Sequence, residues 1–216
     1  HMHWRGDLLR LLVGVCILVA LGGTGRSAQP LDIKIGYLHL APSRIRISLI
    51  DVPAANDGLA GAQLAAEDDN TTGRFLHQHY TLIEKLVGEN DDPAAAMNAL
   101  ADHGASFIVT SLDAERLLKA ADAGKARGET LINALALDER LREEDCRANV
   151  IHVAPTRSML ADALAQYLVW KKWRKWALIT GSHENDGLYA DALRHAARRF
   201  GAKIVEERVF KEQFLS

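Results

Sequence analysis

From Asn149 to Val209 the chain alternates without interruption between short apolar runs and amphipathic stretches, and this alternation leaves few folds open. Asn149–Val153 is a short apolar run. Pro155, Thr156 and Ser158 then supply helix-start chemistry ahead of apolar residues at Leu160, Leu164, Leu168 and Val169. Trp176–Thr180 is the next buried-strand candidate, and a second helix is expected from about Asp186 to Phe200. Gly201 stands where a helix ends in the left-handed conformation, and Lys203–Val209 reads as a third strand. Strand, helix, strand, helix, strand implies an α/β domain with a parallel sheet.

The same rhythm extends upstream. Asp32–Leu40 alternates and is bounded by Pro30 and Pro42, which suits a first strand. Ala41–Asp57 reads as a long irregular stretch carrying Arg44, Arg46 and Ser48, either a solvated loop or an extra edge strand. A helix is expected from about Leu59 to Asn70, packing through Ala62, Leu64, Ala65 and Ala66 and ending toward Gly73. His79–Val87 is the second strand. Asp92 and Pro93 open a helix that Gly104 closes, Ser106–Ser111 is a short buried strand, Asp113 caps a helix ending near Gly124, and Thr130–Leu135 is another strand.

The first 28 residues read as a secretory signal peptide. After His1, taken as a cloning remnant, Arg5 and Arg10 precede the apolar run Leu11–Leu21, which gives way to small residues up to Ser27 and Ala28. Without residues 1–28, which hold Arg5, Arg10, Arg26 and Asp7, 23 basic and 27 acidic side chains remain, a net charge of −4. That balance argues against wholesale nucleic-acid binding. Trp170–Trp176 mixes tryptophans with cations, but it reads as a helix C-terminus whose cations suit the dipole, with Trp173 and Trp176 filling the gap between helix and sheet. Cys146 is the one cysteine after the leader and reads as a small buried apolar residue. His77 and His79 lack a third metal-ligand candidate and read as solvated, and the acidic clusters read as turns and helix ends. There is no P-loop, no Gly-x-Gly-x-x-Gly, no Gly-x-Ser-x-Gly and no His-Glu-x-x-His, so neither catalysis nor a cofactor is implied.

Several stretches resemble the type I periplasmic binding proteins of ABC importers, in the branch of the branched-chain amino-acid receptors. Gly61–Gly73 is similar to that family's first helix, Asp91–Ser111 to its second helix and following strand, and Asn149–Val169 to the crossing into the second lobe. More narrowly, Asp145–Gly181 and Ala197–Phe210 resemble substrate-binding proteins associated with PQQ-dependent alcohol dehydrogenase systems. The resemblance implies two Rossmann-like α/β lobes with parallel sheets, an N-terminal lobe over residues 29–148 and the start of a second over 149–216, left incomplete at Ser216. It also implies a periplasmic, non-enzymatic solute-binding component that holds a small molecule between its lobes and delivers it to an ABC permease, with a link to a periplasmic alcohol dehydrogenase. An accessory protein docking on that dehydrogenase, and an α/β enzyme, are the alternatives.

In such a fold ligands sit outside the carboxyl ends of parallel strands, where loops from both lobes meet. The candidate ligand-binding residues are therefore Tyr37, Thr110, Ser111, Asn133, Ala134, His183 and Tyr189. In the family a Ser/Thr-rich loop holds the ligand carboxylate at a helix start. Here that loop reads Thr110, Ser111, Leu112, Asp113, and Asp113 would repel a carboxylate, which argues against an ordinary amino-acid ligand.

Overall fold

The computed structural model describes residues 29–41 and 56–210. The expected leader and the stretch with Arg44, Arg46 and Ser48 lie outside the described residues. The elements follow in the order β1 (Leu31–Leu40), α1 (Asp57–Leu76), β2 (Gln78–Val87), α2 (Pro93–Asp102), β3 (Phe107–Ser111), α3 (Ala114–Arg127) and β4 (Thr130–Asn133). A 3₁₀ turn (Glu139–Arg142), β5 (Val150–His152), α4 (Arg157–Trp170), β6 (Lys175–Thr180), α5 (Glu184–Phe200) and β7 (Lys203–Val209) complete it.

Two parallel sheets result. The first is five-stranded in the order β2-β1-β3-β4-β5, and the second pairs β6 with β7. β5 joins β4 through Leu131–Val150 and Asn133–His152 pairing, so it belongs to the first sheet. The expected lobe boundary at 148/149 falls ahead of that strand, and the chain leaves the first sheet only after His152.

The main core lies between the first sheet and the paired helices α2 and α3. Leu38, Ile108 and Leu131 from three strands meet Met97, Leu100 and Leu117 from the helices, all fully or almost fully buried. Each such aliphatic side chain contributes about 1.5–3 kcal/mol. Caps bound the helices as expected: Asp92 accepts from the Ala94 amide at 3.0 Å, Asp113 from the Arg116 amide at 2.9 Å, and Thr156 from the Met159 amide at 3.2 Å.

The second unit has a different interior. Where α4 and α5 meet, the buried residues are Ala161, Ala165, Ala192 and Ala196, with Trp176, Leu193 and Phe200 partly buried beside them. The expected inward ridge of α4 is rotated: Leu160 and Leu164 are exposed, and the alanines one position on face α5. Small residues win this face because they let two helix backbones approach. Trp176 packs into this core as expected, whereas Trp173 is exposed and holds the Trp176 indole by accepting its N–H at 2.6 Å. Cys146 is likewise exposed rather than buried, in the turn before β5.

Two glycines expected to stop helices lie inside them. α1 runs on past Gly73 to Leu76 and ends at His77, a non-glycine residue in the left-handed region at φ 54°. α3 runs past Gly124 and ends at Gly128, φ 79°. Gly73 and Gly124 serve close approach instead: a Cβ would lie 2.5 Å from the Gln78 carbonyl oxygen in the first case and 2.7 Å from Leu131 Cδ1 in the second. The contact at Gly73 is reinforced by Asn70, whose amide donates to the Tyr80 carbonyl at 2.8 Å and accepts from its N–H at 2.7 Å, clamping α1 onto β2. The packing face of α1 is accordingly Ala62, Ala66, Asn70 and Gly73, with Leu64 and Ala65 exposed. Gly73→Ala is expected to cost about 1–3 kcal/mol by overpacking against backbone, more than the roughly 1 kcal/mol of Gly128→Ala, as measured by chemical denaturation.

Candidate functional site

The carboxyl ends of β3 and β4, the crossing after β5 and the start of α5 surround a cleft of about 670 Å³. Its first wall is Asp113–Arg116, its second Leu135–Asp138 with Arg140, and its third Arg157 with Glu184, Asn185 and Leu188. The first two come from the five-stranded unit and the third from the second unit.

Asn133 builds the second wall. At the last position of β4 its buried amide oxygen accepts from the Leu135 and Ala136 N–H groups at 3.2 and 2.9 Å, turning the chain sharply. Its amide nitrogen donates to the Ala136 carbonyl at 2.8 Å and to His152 Nδ1 at 3.0 Å. Because the amide is oriented by its other partners, His152 Nδ1 must be the acceptor and the imidazole is neutral. Burial, aided by the charge of Arg142, holds the His152 pKa below its ordinary value. The Asn133 backbone carbonyl also accepts from Val153 and Ala154 at 3.0 and 3.1 Å, fixing the crossing.

Arg157 joins the units. It is the first residue of α4, only 8% exposed, where a cation opposes the helix dipole, so its partners must hold it there. Those partners are Asp138 at 3.2 Å, Asn185 Oδ1 at 2.6 and 3.1 Å, and the Tyr189 ring, whose centroid lies 5.7 Å away. Next to it, the Ser158 hydroxyl and amide donate to Glu139 at 2.7 and 2.8 Å. Burial pushes the Glu139 carboxyl upward, but these two hydrogen bonds and the Arg157 charge outweigh it and leave the pKa below the usual value.

None of the seven residues expected from sequence lines this cleft. Thr110 is buried and donates to the Ile132 carbonyl at 3.1 Å, Ala134 donates its N–H to the Thr110 carbonyl at 3.0 Å, and Thr110 and Asn133 are register partners, so these three come together beneath the second wall. Ser111 is half-buried opposite His39. Tyr37 is buried apart from the cleft, stacked on His39 at 4.5 Å, and His39 in turn meets Glu84 at 2.8 Å. His183 is exposed and caps α5, its N–H donating to Asp186 at 3.1 Å, while Tyr189 touches the site only through Arg157. His77 and His79 are placed separately, His77 at the end of α1 and His79 on β2, 3.5 Å from Asp32. Among the described residues no group of three or more His, Cys, Asp or Glu gathers as for a metal, and no helix is long and apolar enough to cross a membrane.

The family model described as periplasmic binding protein matches residues 51–213. The chain belongs to that family. No curated protein matches significantly. An ABC transporter substrate-binding protein from Desulfitobacterium hafniense, solved in complex with Leu, is similar with a TM-score of 0.64 and 18% identity, over 84% of this chain and 52% of that one. A branched-chain amino-acid ABC transporter periplasmic ligand-binding protein from Burkholderia xenovorans gives 0.65 and 18%, over 85% and 48%. The branched-chain amino-acid transporter substrate-binding protein of Streptococcus pneumoniae, in complex with isoleucine, gives 0.59 and 18%, over 85% and 51%. At such identities the likeness shows the fold: α/β, with parallel sheets, as in type I periplasmic binding proteins. This chain spans about half the length of these structures.

Asn133→Ala is expected to cost about 2–4 kcal/mol in denaturant unfolding, because two N–H groups and a carbonyl lose a buried partner. The His152 pKa is lowered in the fold, so its contribution is whole above the ordinary value of 6.5 and is lost as pH falls from there toward the folded value. His152→Gln, which keeps an acceptor and removes the titration, should flatten the dependence of stability on pH below about pH 6.5.

Proposed function

We propose that this protein is the solute-binding component of an ABC transporter, exported to the periplasm by the leader over residues 1–28, where it captures a small molecule between its two α/β units and presents it to the permease. The observation that carries this reading is the cleft itself: one space walled by the ends of β3 and β4 on one unit and by the start of α5 on the other. A ligand touching both walls favours the arrangement in which they are close, and that shift in population is a signal a permease can read. Membership of the periplasmic binding protein family supports the same reading, as do similar structures described with Leu and isoleucine.

Within this reading the protein binds without turning its solute over. The resemblance of Asp145–Gly181 and Ala197–Phe210 to proteins of PQQ-dependent alcohol dehydrogenase systems supports a finer proposal, that the solute belongs to periplasmic alcohol oxidation. The full-length protein should bind one solute per chain. A thermal-shift screen over a broad metabolite panel is expected to find a stabilising compound, worth about 2.7 kcal/mol when its concentration is a hundred times Kd. A folded full-length protein that no compound stabilises would sink the reading. A panel weighted toward alcohols, aldehydes and their acids tests the finer part, which fails if hits come only from unrelated compounds.

A further inference from the structure

Trp170–Trp176 spans the end of α4 and the start of β6, and Arg198–Ile204 spans the end of α5 and the start of β7. Together they hold seven cations and no carboxylate, in a chain whose net charge is −2. The fold brings the two stretches to one end of the second unit: Lys175 and Lys203 are register partners, the Lys203 N–H donates to the Arg174 carbonyl at 2.8 Å, and the Arg174 guanidinium donates to the Gly201 carbonyl at 3.3 Å. All seven cationic residues are exposed. Arg199 is paired with Asp162, and the other six form no ion pair among the described residues. Residues 42–55 and 211–216, outside the described residues, hold three cations and two carboxylates, too few to neutralise this end.

Aromatic side chains stand among these charges. Trp170 and Trp173 are 70% and 59% exposed, and the Tyr167 ring lies beside Trp170 with centroids 6.0 Å apart. Lys171 Nζ reaches over both rings, 4.8 Å from the Trp170 centroid and 5.7 Å from that of Tyr167. Lys172 adopts the left-handed conformation usually left to glycine, φ 70°, and so turns Trp173 back onto the helix end, its N–H donating to the Leu168 carbonyl at 2.9 Å. Folding alone does not call for this arrangement. A helix dipole is met by the nearest cations, Trp170 and Trp173 bury little, and lysines side by side on paired strands oppose the pairing. An anionic partner accounts for all three.

We propose that this end of the second unit docks on an anionic phospholipid surface. Phosphates spread over a plane draw scattered lysines and arginines, and the headgroup zone takes tryptophan and tyrosine rings whose polar edges stay wet. The periplasmic reading, on which the choice of partner rests, removes single-stranded nucleic acid, which the same mixture of aromatics and cations would otherwise fit. α4 starts at the cleft and ends at the patch, about 20 Å away. A docked protein therefore keeps its cleft uncovered, and lipid and solute binding are separable.

Flotation of the exported full-length protein, freed of residues 1–28, with vesicles tests the proposal. It is expected to bind vesicles of equal parts phosphatidylglycerol and phosphatidylcholine, with tryptophan emission shifting to the blue, and to bind phosphatidylcholine alone at least about tenfold more weakly. Salt at about 1 M should release it. Lys171→Gln with Lys172→Gln should weaken binding severalfold, and Trp170→Ala should remove much of the blue shift, whereas Lys119→Gln with Lys125→Gln, the same loss of charge at exposed positions on α3, should change neither. Equal binding to both vesicles, no binding to either, or an equal effect of the two lysine pairs would overturn the proposal. Binding to polyglutamate without binding to vesicles would also overturn it and assign the patch to an acidic protein. Vesicle binding without any solute hit sinks the solute-binding reading alone, and a solute hit without vesicle binding sinks the docking proposal alone.

Discussion

A single buried amide, that of Asn133, sets the geometry on which the cleft depends. Backbone polar groups taken out of water must be paired, and at the end of β4 the sheet can no longer supply the partners. Asn133 does so with its side chain, satisfying two amides and one carbonyl of the departing loop while its own carbonyl receives the crossing after β5. The wall Leu135–Asp138 is thus a rigid extension of the sheet rather than a free loop. Asp138, and through it Arg157, inherits its position from that turn.

The two units are stabilised unequally. The first buries leucine, isoleucine and methionine between sheet and helices, which supplies most of the hydrophobic free energy of the described fold. The second relies on alanine contacts between two helices, with one face of its two-stranded sheet largely open and Ile179, Val205 and Val209 exposed. Small residues give close backbone approach but little apolar area. The second unit is therefore the softer part, attached to the first chiefly by Arg157 and by the Glu139–Ser158 hydrogen bonds.

The order of strands and helices was readable from sequence because each boundary carries local chemistry: Asp92 with Pro93, Asp113, Thr156 and Gly201 all act as their residue types suggest. Gly73 and Gly124 misled because glycine permits both a left-handed turn and a close contact, and only the neighbours Gln78 and Leu131 decide which. The face of α4 misled because leucine spacing outweighs alanine in any hydrophobic pattern, although alanine permits the tighter helix pair. The site was legible to the level of the loop and no finer. Thr110, Asn133, His183 and Tyr189 sit within a few residues of the lining, but Thr110 and Asn133 spend their polar atoms on backbone, and that spending is invisible before the fold is known. Arg157 left one trace, a cation at the first position of a helix where the dipole disfavours it.

The alanine seam between α4 and α5 has a mechanical consequence. Helices in contact through such short side chains have little slack to slide or tilt, so they travel as one body. Arg157 and Asn185 ride on that body together, and their hydrogen bonds survive any swing of the second unit. The fracture line must then fall on the other side of Arg157, at Asp138 and at Glu139. A separation along that line would break the Arg157–Asp138 ion pair and the Ser158–Glu139 hydrogen bonds and leave the guanidinium held by Asn185.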